Sequence, residues 1–96
     1  MKREEYIDNM AAKLKEWNTE VEKLETKAQK AGMDAKKEIS KEVQDLRIKK
    51  KVAEDQLEQV KEAGEDAWME LQTEAEGAFE DIKSALKNAV NRFEDI

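Results

Sequence analysis

The 96-residue chain has no cysteine, no histidine and no proline, and aromatic residues make up only 5% of it. Each gap excludes something. Without His or Cys there is no Ser-His-Asp or Cys-His nucleophile system, and no zinc, haem or iron–sulfur site of the usual ligands. Without Cys there is no disulfide framework, so a reducing compartment is allowed but not required. No apolar run exceeds three residues, as in Met10-Ala11-Ala12. Such runs are far too short to span a bilayer, and no charged-then-apolar leader of the secretory kind is visible. The expectation is a soluble, cytoplasmic, non-enzymatic protein of one small domain, residues 1–96.

What is present is charge and helix formers. Ala, Glu, Lys, Leu and Arg supply 53 of the 96 residues, and 44% of the chain is charged. About half A/E/K/L/R with a 3.5 or 3.6 periodicity marks long helices or coiled coils. High charge alone would also fit disorder, but the apolar residues are regularly spaced.

The three glycines are Gly32, Gly64 and Gly77. Taken as punctuation, the first two divide the chain into thirds of about 31 residues. The first third carries Ile7, Met10, Leu14, Trp17, Val21, Leu24, Ala28 and Ala31 in unbroken 3-4 alternation, a coiled-coil seam. The second continues with Ala35, Ile39, Val43, Leu46, Lys50, Ala53, Leu57 and Val60, in which Lys50 is the polar intruder and the run of fours is a stutter. The last third repeats every eleven residues, with Trp68, Phe79 and Val90 in one row and Leu71, Ile82 and Phe93 in another. Eleven residues make almost three whole turns, so this stripe runs nearly straight. It is also wide, as suits a helix with two neighbours.

The pattern predicts an all-α fold: an antiparallel three-helix bundle with helices over about 3–31, 34–62 and 66–94. The alternative is a long hairpin whose first helix of about sixty residues runs through Gly32 and buries its seam in a homo-oligomer. For the bundle, Gly32 is expected to adopt the left-handed conformation of a Schellman cap, with Met33 touching Ala28 and Asp34 capping the next helix. Gly64 is likewise expected to end a helix with positive φ, and Asp66 to cap the third. Gly77 reads as mid-helix, allowing a close neighbour. Folding back at 32 and 64 sets large residues opposite small ones: Phe93 against Ala28 and Ala35, and Met10 against Ala53 and Ala75. It also sets Leu46 against Ile82 and Leu57 against Leu71. Close packing demands such alternation.

Charge is uneven. Residues 1–31 and 32–63 each balance, whereas residues 64–96 hold nine acids and three bases, the whole net charge of −6. Arg47, Lys49, Lys50 and Lys51 would face Glu74, Glu76, Glu80 and Asp81 in the folded-back arrangement.

Several stretches resemble a known family: Glu16-Trp17 through Leu24, Asp45-Leu46-Arg47 to Leu57, and above all Ala63-Gly64-Glu65-Asp66-Ala67-Trp68 with Phe79-Glu80-Asp81-Ile82-Lys83 and Arg92-Phe93. They are similar to short bacterial coiled-coil proteins, some labelled stress-response proteins of the cyanobacterial type. The second copy of the Ala-Trp repeat reads Ala78-Phe79 here. The resemblance implies a helical, non-enzymatic protein and no defined activity.

No residue is assigned a catalytic, cofactor-binding or metal-ligating role, and no cofactor is expected. Trp17 and Trp68 lie on the apolar stripes and read as core. The acids Glu65, Asp66, Glu70, Glu74, Glu76, Glu80 and Asp81 form no calcium loop and have no His for a di-iron motif, so they read as a solvated face. The basic run 47–51 is too short, in a chain of pI near 4.8, for nucleic acid. Ser40 and Ser84 have neither a base nor a phosphate-cradling loop nearby. Self-association or a protein partner is expected. The second reading is a surface-active helix in the last third lying on a membrane, against which its nine acids stand.

Overall fold

The computed structural model describes residues 2–94 and contains three helices, α1 (Arg3–Lys30), α2 (Met33–Glu62) and α3 (Trp68–Arg92). They form a rod 51 Å long and 17 Å across. The protein is an all-α three-helix bundle. Cross-helix contacts fix its direction. Arg47 of α2 pairs with Glu25 of α1. Arg92 of α3 pairs with Glu38 and Glu42 of α2 at 3.5 and 3.1 Å. Tyr6 stacks beside Trp68, and Trp17 beside Phe79, at ring separations of 5.9 and 5.6 Å. Helix α2 is therefore antiparallel to the other two, and α1 runs parallel to α3.

None of the helices has a side-chain N-cap; their N-cap residues are Lys2, Gly32 and Ala67. Charge compensates. Glu4 and Glu5, Asp34, and Glu70 occupy the first turns, while Lys27 and Lys30, Lys61, and Arg92 occupy the last. Each placement complements the helix dipole, at about 0.3–1 kcal/mol per exposed charge.

Both turns differ from the sequence expectation. Gly32 has φ −64° and ψ 167°, and no described residue has positive φ. The chain reverses through two extended residues, Ala31 and Gly32, and the Ala31 N–H reaches back to the Ala28 carbonyl at 3.3 Å. There is no Schellman cap, and Met33 is 81% exposed instead of packing on Ala28. Gly32 itself, not Asp34, is the N-cap of α2. After Ala63, also extended, the Gly64 carbonyl accepts hydrogen bonds from the N–H groups of Ala67 and Trp68 at 3.1 and 3.2 Å. That tight turn delays α3 to Trp68, two residues later than expected, and makes Ala67 the N-cap in place of Asp66.

The core is a column of three clusters. At one end Tyr6, Val60, Trp68 and Ala75 pack together. In the middle lie Leu14, Ala53, Leu57 and Phe79. The far end holds Val21, Leu24, Ala28, Ile39, Val43, Leu46, Leu86, Ala89 and Phe93. Large meets small as the alternation requires: Phe93 enters the cluster of Ala28, and Met10 lies against the clusters of both Ala53 and Ala75. Leu46 clusters with Leu86, and Leu57 with Phe79, while Leu71 packs beside Val60 and Trp68 and Ile82 is fully buried. The wide stripe of α3 is buried at Trp68, Ala75, Phe79, Ile82, Leu86 and Ala89. Lys50, the intruder on the seam, is 20% exposed; its ammonium donates to Asn18 Oδ1 at 2.7 Å and pairs with Glu54 at 3.5 Å.

Candidate interaction surface

With the seams buried inside one chain, four large apolar residues among those described remain exposed: Met33 (81%), Ile48 (64%), Val52 (48%) and Met69 (65%). Three of them belong to α2. Local geometry explains why. Arg47 turns toward α1 to meet Glu25, and Lys49 turns toward α3 to meet Asp81 at 3.0 Å. At 100° per residue, Ile48 between them must point away from both neighbouring helices. The same period carries that outward face through Met33, Lys37, Lys41, Gln44, Ile48 and Val52. At its start Met33, Lys36, Lys37, Ser40, Lys41 and Gln44 line a shallow open groove.

The electrostatics of this face were only half visible in the sequence. The conspicuous run 47–51 is largely used within the chain. Arg47 meets Glu25, Lys49 meets Asp81, Lys50 meets Glu54, and Lys51 meets Asp55 at 3.1 Å. The hydrogen bond that Lys51 donates to Asp55, and then the charge of that carboxylate, push the Lys51 pKa up. Of the expected links from this run to α3, one forms, Lys49–Asp81. Within α2 the cations left over lie upstream. Among the described residues Lys36, Lys37 and Lys41 pair with no carboxylate. Sequence reading passed over them because only the fold decides which lysines meet an acid. The signal was Met33 followed by cations at +3, +4 and +8.

The other singled-out residues fall into place. Trp68 is buried and Trp17 is half-buried, so both are core. Among the described residues no three acidic side chains converge as a metal site. The acids of the last third spread along the surface, where Glu65, Asp66, Glu70, Glu74 and Glu80 make no ion pair. Ser40 and Ser84 are exposed. Among the described residues no helix is long and apolar enough to cross a membrane. Sequence reading missed Tyr6, which is 1% exposed where Ile7 was placed on the seam. Its hydroxyl is buried with no hydrogen-bond partner. Burial, and secondarily the charge of Glu76, push its pKa above the usual 10.

No family model matches this chain, and the searches of curated proteins and of solved structures found no match to it.

Proposed function

We propose that the protein is a non-enzymatic helical interaction module whose docking surface is the outer face of α2. The supporting observation is the grouping of Met33, Ile48 and Val52 on one helix face, beside lysines without a carboxylate of their own. Scattered exposed apolar residues need no explanation, but three that share one helix face beside unpaired lysines do. The partner this chemistry suits is acidic and carries apolar side chains of its own. The proposal keeps the resemblance to short bacterial coiled-coil proteins, some of the stress-response type, and a cytoplasmic setting.

The second reading, a membrane surface, moves to a different helix. The apolar stripe of α3 is occupied by the core, so lipid would have to meet the lysines of α2. One experiment separates the two. A photo-crosslinking amino acid is placed at Ile48 in cells, with one at the exposed position Asp8 as control. A discrete protein adduct at 48 and none at 8 supports the proposal. Lipid adducts favour the second reading, and equal labelling at both positions removes the docking face.

A further inference from the structure

The acidic partner that the α2 face suits is present on the molecule itself. The fourth exposed apolar residue, Met69, begins α3, and near it stand Glu65, Asp66 and Glu70, none of them in an ion pair. The two patches match in kind: an exposed methionine in the first turns of a helix, beside unpaired lysines in one case and unpaired carboxylates in the other. They cannot meet within one chain. Met33 lies where α1 ends and α3 ends, as the 3.1 Å bond from Lys27 to the Phe93 carbonyl shows. Met69 lies at the other end, where Trp68 packs on Tyr6. The rod between them is 51 Å long.

We infer that the occupant of the α2 face is a second copy of this chain, docked through the acidic start of its α3. The inference rests on the interaction reading above and narrows it to self-association. The contact is heterologous: Met33 with Lys36, Lys37 and Lys41 of one copy meets Met69 with Glu65, Asp66 and Glu70 of the next. Such contacts propagate into chains or close into rings. A second copy suits the face better than an anionic headgroup, because it supplies opposite charge and an apolar side chain together. The patches are small, so the association is weak and depends on concentration. At physiological salt the screening length of about 8 Å mutes the repulsion between net charges but leaves contacting patches effective.

Light scattering on the purified protein at rising concentration, in physiological salt, tests this. The weight-average mass is expected to climb above the 11.1 kDa of one chain. Two variants then divide the interface: Lys36→Gln with Lys37→Gln and Lys41→Gln, and Glu65→Gln with Asp66→Asn and Glu70→Gln. All six positions are exposed, and circular dichroism confirms that each variant remains helical. Each alone should stay at one chain mass. Mixed one to one, they should reach twice that mass and stop, because only one complementary pair of patches survives. The acid-neutralised variant is the sharper arm, since relief of net charge alone would make it associate more. A wild type that stays at 11.1 kDa throughout, variants that associate like the wild type, or a mixture that remains monomeric would each overturn the inference. Lysine-dependent binding to phosphatidylserine vesicles by a protein that never self-associates would overturn it in favour of lipid. A monomeric wild type whose Ile48 still crosslinks another protein in cells defeats self-association alone and leaves the interaction module standing.

Discussion

Replacing Tyr6 by Phe should stabilise the protein. The ring sits at the end of the core against Trp68 and is 1% exposed, while its hydroxyl is buried without a partner. In the unfolded chain that hydroxyl is hydrated, so folding strips it of water and returns no hydrogen bond. Leaving a buried polar group unsatisfied costs about 1–3 kcal/mol. Removing one oxygen opens a void of roughly 10 Å³, worth only ~0.2 kcal/mol at the usual cavity cost. The packing against Trp68, Val60 and Ala75 is kept. The net gain is therefore about 1–2 kcal/mol. For a domain of this size each kcal/mol moves the melting temperature by about 4–8 °C. Thermal melts followed by circular dichroism at 222 nm read the shift, with Tyr6→Ala as control, expected to lose about 3–5 kcal/mol as a buried aromatic does. A Phe variant that melts below the wild type would mean that the hydroxyl is hydrogen-bonded in solution, and the reasoning would fail.

The same residue should show in the alkaline limb. Its folded pKa is raised, first by burial and then by Glu76, so the neutral phenol's contribution is fully present below the unfolded value near 10 and is lost as pH rises through the higher folded value. Tyr6 is the one tyrosine, so its absorbance titration should have a midpoint above 10 that returns to about 10 in denaturant; the stability difference between wild type and Tyr6→Phe should widen over the same range. Leu46→Asp should unfold the bundle or lower its stability by several kcal/mol, because it buries a carboxylate at a 1% exposed position, while Ser40→Asp on the surface leaves the melt nearly unchanged; equal melts would take Leu46 out of the core. Gly77→Ala should add about 0.5–1 kcal/mol, since an added Cβ meets nothing within 4 Å in the middle of α3. Gly64→Ala should cause no steric loss, because φ there is not positive; urea midpoints check both, and a loss above 1 kcal/mol at 64 would restore the left-handed turn expected from the sequence.

What the sequence made legible follows from which forces act locally. The 3-4 spacing of Leu14, Val21 and Leu24, and of Ile39, Val43 and Leu46, gives the buried faces directly, since an amphipathic helix must hide its stripe. The eleven-residue spacing of Trp68 and Phe79 did the same for α3. At the end of α1 the spacing alone could not choose between Tyr6 and Ile7, which lie 100° apart on the helix. Trp68 of a distant helix made the choice. Glycine shows that a helix can end but not by which dihedral angles. At Gly32 and Gly64 an extended exit reverses the chain, and the left-handed one is not used. The interaction face was hidden for a similar reason. Lys49 and Lys41 look alike in sequence, and only the placement of Asp81 opposite the first leaves the second free.

The docking face exists only if the chain folds back at Gly32, because that turn buries both seams within one molecule and leaves the outer side of α2 exposed. Spin labels at the exposed positions Asp8 and Glu58, in protein diluted with unlabelled chains, measure this by electron double resonance. Ile7 packs on the cluster that holds Leu57, so the labelled backbones should lie at about the 8–10 Å of neighbouring helices, plus the label tethers. A helix unbroken from 8 to 58 would hold them ~75 Å apart, at 1.5 Å per residue. A long distance of that order would contradict the bundle and the docking face built on it.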